Sequence, residues 1–192
     1  MADEMEWLDH LAYVADGRYF STLKPSKNGE EIAEFGGLAF KAIQIDPKKP
    51  LFPVSLSTGR TISLGQYEFA RIEVGVDAIG PVQFAPAYYK WAEAMGAELL
   101  AREVASAKDQ KRKPGPLPDP PDGLQLVILR LQYGLTMSTG KFESAKADVG
   151  LSLPSSPDHI HETWVELEKF VSDRITQQVN KVRGKPGSDI GI

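Results

Sequence analysis

The chain has 192 residues, enough for one domain or two small ones with a real core, and its 42% apolar and 25% charged composition is ordinary for a soluble globular protein. Zero cysteines exclude disulfides, zinc–thiolate and iron–sulfur centres and a thiol nucleophile, and a formal charge of −4 argues against coating nucleic acid by bulk charge alone. No apolar run approaches the roughly 20 residues of a membrane span, and Met1–Val14 is acidic rather than signal-like, so the expectation is a protein of the cytoplasm with no membrane partner.

Residues 1–53 read as a β-rich extension. Asp16-Gly17, flanked by Tyr13-Val14-Ala15 and Arg18-Tyr19-Phe20, suits a type I′ hairpin turn, in which both central residues need positive φ. Lys24–Glu31 reads as an exposed loop, and Gly37–Asp46 as a strand stopped by Pro47 and Pro50.

Residues 54–106 read as a ββα unit. Val54–Leu64 and Phe69–Ala78 are predicted strands; in the second, Ala70, Ile72, Val74 and Val76 alternate with Arg71, Glu73, Gly75 and Asp77. A helix over about Pro86–Ala105 follows, with Tyr89, Ala92, Gly96, Leu100 and Val104 as its expected core stripe. Residues 107–123, rich in proline and charge, form an extended linker.

Residues 124–183 repeat the pattern. Ala145, Ala147, Val149, Leu151 and Leu153 alternate with polar or small residues; Ser156 is placed as N-cap, with Pro157 and Asp158 in the first turn. The helix stripe is Ile160, Trp164, Leu167, Val171, Ile175 and Val179. Residues 184–192 are a tail. Sliding the chain 75 positions along itself lays Val54–Val104 on Leu129–Val179 without a gap, with Gly59, Gly65, Glu68, Gly75 and Glu93 meeting identical residues. The reading is an internal duplication. The fold expected is α+β: two tandem ββα repeats forming one pseudo-twofold antiparallel sheet with two helices on one face, plus N-terminal strands. Ala92 and Gly96 stand where the second helix has Leu167 and Val171, which would let the two helices pack closely.

Chemistry is sparse. His10, His159 and His161 do not share a helix face, and no phosphate loop, HExxH, GxSxG or dinucleotide fingerprint occurs. The recurrent carboxylates Glu68/Glu143 and Glu73/Asp148 read as turn anchors or as cross-strand partners of Arg71 and Lys146. A non-enzymatic protein without cofactor or metal is expected. Each repeat offers an aromatic two residues past a glycine and then a cation: Tyr67 with Arg71, Phe142 with Lys146. Rings beside cations on a sheet suit single-stranded nucleic acid, because bases stack on the rings while cations follow the phosphates. Tyr13, Tyr19, Phe20 and Tyr133 could extend that surface, and Lys111, Arg112 and Lys113 would add charge. The competing reading is that Tyr67 and Phe142 plug the hairpin ends. A second class of partner is a host or phage protein, to which an acidic chain would act as inhibitor or adaptor. A homo-oligomer is compatible with either.

Ser63–Val76 (SLGQYEFARIEVGV) followed by a helix resembles small uncharacterised proteins encoded by phages and prophages, over roughly Thr61–Val104 and more weakly Thr136–Val179. The resemblance implies a phage or mobile-element origin and attaches no catalytic residue. It makes an accessory role in phage DNA metabolism the leading expectation.

Overall fold

The computed structural model describes residues 11–13, 17–26, 29–38, 43–45, 50–65, 68–109, 115–140 and 143–184. The elements run β1 (Leu11–Tyr13), β2 (Gly17–Lys24), β3 (Ile32–Leu38), β4 (Ile43–Ile45), β5 (Leu51–Gly65), β6 (Glu68–Pro81), α1 (Ala85–Ala107), β7 (Leu126–Gly140), β8 (Glu143–Ser155) and α2 (Ile160–Val182). Six strands form one antiparallel sheet in the order β3-β2-β8-β7-β6-β5, and β1 pairs with β4 separately. The fold is α+β. Among the described residues no helix is long and apolar enough to cross a membrane.

Period-2 alternation decides which way the sheet faces. Ala70, Ile72, Val74, Val76 and Ala78 of β6 are buried, as are Leu129 and Leu131 of β7 and Val149, Leu151 and Leu153 of β8. They join Tyr88, Trp91, Met95 and Leu99 of α1 and Trp164, Leu167 and Val171 of α2 in one core. Helix α1 lies on β5 and β6, and α2 on β7 and β8, with Gln178 Nε2 reaching Ser21 Oγ of β2 at 2.7 Å.

Several expectations change. The strands flanking Asp16-Gly17 are not paired with each other, since β1 pairs with β4 while β2 pairs with β3 and β8; Asp16 itself lies outside the described residues. Of the strand expected over Gly37–Asp46, Gly37 and Leu38 end β3 and Ile43–Ile45 form β4 in a separate sheet; residues 39–42 and 46 lie outside the described residues. The expected stripe of α1 holds at Ala92 and Gly96, which are buried, and at Leu100 and Val104, which pack on the core, but Tyr89 is 51% exposed. The core face is wider than that stripe, and Tyr88, Trp91, Met95 and Leu99 supply most of its buried apolar area. Gly96 is buried, but it faces Thr58 of β5 rather than α2, with 3.5 Å between its notional Cβ and Thr58 Cγ2. The pseudo-twofold does not emerge from the strand order, since an axis normal to the sheet would set β6 beside β8 or β5 beside β7, and the two hairpins instead meet at β6 and β7. Ser156 does not cap α2 directly. Pro157–His159 form a 3₁₀ turn first, and Ser156 Oγ meets His159 Nδ1 at 2.8 Å.

The described part of the proline-rich connection, 115–121, has no regular secondary structure and runs back along α1. Trp91 Nε1 donates to Pro118 O at 3.2 Å, Gly115 N donates to Glu98 Oε1 at 3.0 Å, and Arg102 reaches Gly115 O.

One carboxyl belongs to the interior. Glu103 is 5% exposed. Burial, with Glu168 adding repulsion, pushes its pKa up to about 7, against a smaller opposing effect of the Trp164 indole N–H. A raised carboxyl favours the folded state when protonated, so this contribution is lost as pH rises from the ordinary carboxyl range through about 7. Glu103→Gln is expected to flatten that slope and to stabilise the protein by about 2 kcal/mol at pH 8, read by urea unfolding at pH 5 and pH 8. A pH profile unchanged by the substitution would refute the assignment.

Candidate nucleic-acid interface

The two helices occupy one side of the sheet, and no described helix packs on the other. Register places its side chains in rows across the strands. One row is Ser63, Phe69, Thr136, Lys146 and Lys24; the next is Thr61, Arg71, Gly134, Asp148, Thr22 and Ala33. Then come Gly59, Glu73, Gln132, Gly150, Phe20 and Phe35, followed by Ser57, Gly75, Arg130, Ser152, Arg18 and Gly37.

Four glycines in these rows are floor positions beneath a neighbour's side chain. A Cβ at Gly150 would lie 2.7 Å from Phe20 Cζ, at Gly75 2.9 Å from Arg130 Nη2, at Gly59 2.8 Å from Glu73 Cγ and at Gly134 2.5 Å from Asp148 Oδ1. In each case the covering residue is the direct cross-strand partner. Long side chains therefore lie along the sheet instead of standing off it.

Arg71 and Lys146 both project from this face, on β6 and β8, and both are exposed. Arg71 pairs with Glu73 on its own strand and lies near Asp148. The Asp148 carboxyl is raised by burial, while Arg71 and Lys146 pull it down. Arg130 makes a two-pronged pair with Asp77, at 2.6 and 2.8 Å. Of the carboxylates read as turn anchors or partners of Arg71, Glu73 makes that pair, and Glu68 instead meets Arg183 at the end of α2 at 3.5 Å. Tyr67, Phe142, Lys111, Arg112 and Lys113 lie outside the described residues, as do the side chain of Tyr13 and residue His10.

Of the remaining aromatics proposed to extend the surface, Phe20 is on this face. Tyr19 and Tyr133 are on the helix side, because they sit at odd register from it. Tyr19 packs at 5.2 Å from the Phe170 ring with the Arg174 guanidinium 5.5 Å from its centroid, and its hydroxyl donates to Glu34 Oε1 at 3.1 Å. Phe35 and Phe69 are on the face and were not picked out from sequence, nor were Arg18, Lys24 and Arg130; Phe35 is 74% exposed. Their alternation was readable, but the pairing of β2 with β8 was not.

Among the described residues the face thus offers three phenyl rings and five cations against Glu31, Glu73, Asp77 and Asp148. With strands about 4.8 Å apart, Phe69 on β6 stands about 14 Å across the sheet from Phe20 on β2. Among the described residues no three acidic or histidine side chains converge as metal ligands. No family model, curated protein or solved structure matches the chain.

Proposed function

We propose that the helix-free sheet face binds single-stranded nucleic acid without sequence preference, as a non-enzymatic accessory factor in phage DNA metabolism. The carrying observation is the placement of Phe20, Phe35 and Phe69 among Arg18, Lys24, Arg71 and Lys146 on one face. Rings lying on a sheet stack with any base, and flanking cations neutralise phosphates. Tyr67 and Phe142 are part of the proposal as the residues linking β5 to β6 and β7 to β8. The Ser63–Val76 resemblance supports a phage origin and a working place in the host cytoplasm.

The same reading treats β5-β6-α1 and β7-β8-α2 as duplicated units. Supporting it, the register slips between Ser63 and Gly65 in one hairpin and between Ser138 and Gly140 in the other, both at the 75-residue offset. The covered pairs Gly59/Glu73 and Gly134/Asp148 are also equivalent at that offset.

Titration with oligo-dT at low salt tests the function. Saturable binding is expected, with Arg71→Ala plus Lys146→Ala weakening it about tenfold and reducing the log–log salt slope by about 1.4, since each phosphate contact in a single strand contributes about 0.7. Phe35→Ala plus Phe69→Ala is expected to weaken binding with the slope unchanged. No binding at micromolar protein would transfer the weight to a protein partner, the second reading, which the net charge of −4 and the exposed Ile32 and Phe35 on edge strand β3 favour.

A further inference from the structure

On the opposite side of the sheet, α1 and α2 diverge over β7 and leave a cavity of about 260 Å³. Its polar lining is Glu103 and Ser106 from α1, Glu168 and Ser172 from α2 and Tyr133 from β7; Leu131, Leu135 and Val171 supply apolar walls. Glu103 is nine-tenths or more buried, and its Oε1 has no hydrogen-bond partner. The Trp164 indole nitrogen, beside it, also lacks a well-formed hydrogen bond. A buried carboxylate oxygen left without a partner is costly, and a second carboxylate nearby raises that cost. The group that would satisfy both is a cation.

The lining distinguishes which cation. A hard divalent ion is held chiefly by clustered carboxylates, and among the described residues only two acidic side chains reach this cavity, whose apolar walls such an ion would leave unused. An organic ammonium uses both halves of the site. At about 30 Å³ per water-sized unit, the volume suits about eight or nine heavy atoms. We propose that this cavity binds a small organic ammonium compound, with its nitrogen between Glu103 and Glu168 and its apolar body against Leu131, Leu135 and Val171. The site lies across the sheet from the nucleic-acid face and stands or falls independently of it.

The pH response follows from what faces Glu103. Glu168 approaches from α2 and Tyr133 from β7, and the strand end of β5 presents Leu64. Burial, with Glu103 adding to it, pushes the Tyr133 hydroxyl up to about 12, so it stays neutral across the working range. Ammonium binding requires ionised Glu103 and is therefore expected to weaken from pH 8 to pH 6.

Benzylamine, with benzyl alcohol as a neutral control of equal size, tests the proposal by isothermal titration of the full chain at pH 8. Saturable binding with a Kd of about 1 mM or tighter is expected for the amine, and at least about tenfold weaker binding for the alcohol. Glu103→Gln is expected to weaken the amine at least about tenfold, and Glu168→Gln to weaken it in the same direction, each checked for folding by circular dichroism. Equal binding of amine and alcohol, amine binding unchanged in both variants, or no amine binding would each overturn the site.

Discussion

Arg130→Ala is expected to destabilise the protein by about 3 kcal/mol, a fall of roughly 6–12 °C in midpoint for a chain of this size. Arg130 crosses from β7 over Gly75 and grips both oxygens of Asp77 on β6, at 2.6 and 2.8 Å. Asp77 is only 7% exposed. The alanine variant leaves that carboxylate buried without its counter-ion and uncovers the glycine floor. The estimate stays at the low end for a broken buried pair because Arg130 itself is 40% exposed. Adding Asp77→Ala to Arg130→Ala is expected to recover about half of the loss, since the stranded charge is then gone. Urea unfolding of the two single variants and the double variant measures this. Full additivity would show that the pair carries no coupling.

The second large effect is steric. Gly80→Ala is expected to cost about 3 kcal/mol, the upper end for an overpacked core. A Cβ there would overlap Tyr88 Oη and lie 2.6 Å from the carbonyl oxygen of Gly123. Neither neighbour can move freely. Tyr88 is fully buried, and Gly123 holds a φ of 76°, a turn conformation that disfavours any other residue. Tyr88→Phe in the Gly80→Ala background removes the overlap with Oη but leaves the ring Cζ 2.7 Å away, so it is expected to restore only about 1 kcal/mol. A thermal melt of Gly80→Ala that superimposes on the parent would show that this corner is looser than the geometry implies.

The middle of the chain was legible because its signals are local. Strict alternation in β6 and β8, glycine-marked hairpins and a proline run fixed the strands, their faces and the connection from α1 to β7. The seam of α1 was misread at Tyr89, since the core face is wider than the expected stripe and Tyr88, Trp91, Met95 and Leu99 supply most of its buried apolar area. The N-terminal reading failed for a different reason. Asp16-Gly17 is a sound turn signal, but β2 finds its partners in β3 and β8, and the latter pairing lies far along the chain. For the candidate interface, Arg71 and Lys146 followed from alternation alone. Phe35, Arg18 and Lys24 could not, because their membership of the face depends on that same distant pairing. Tyr19 and Tyr133 were assigned to the face by residue type, against a register that puts them beneath the helices.

The distant pairing also sets a schedule for synthesis. Arg18 is matched with Ser152, so β2 leaves the ribosome roughly 130 residues ahead of the strand it must lie against. At about 5–20 residues per second, β2 and β3 wait roughly 7–26 s for that partner, whereas β5 and β6 meet almost as soon as they emerge. During the wait, the hairpin of β2 and β3 offers a peptide edge and Phe35 to whatever is nearby, including the same strands of a neighbouring nascent chain. Translation speed across the interval from β3 to β8, rather than the stability of the finished fold, is then the quantity that governs how much of this protein reaches its native sheet.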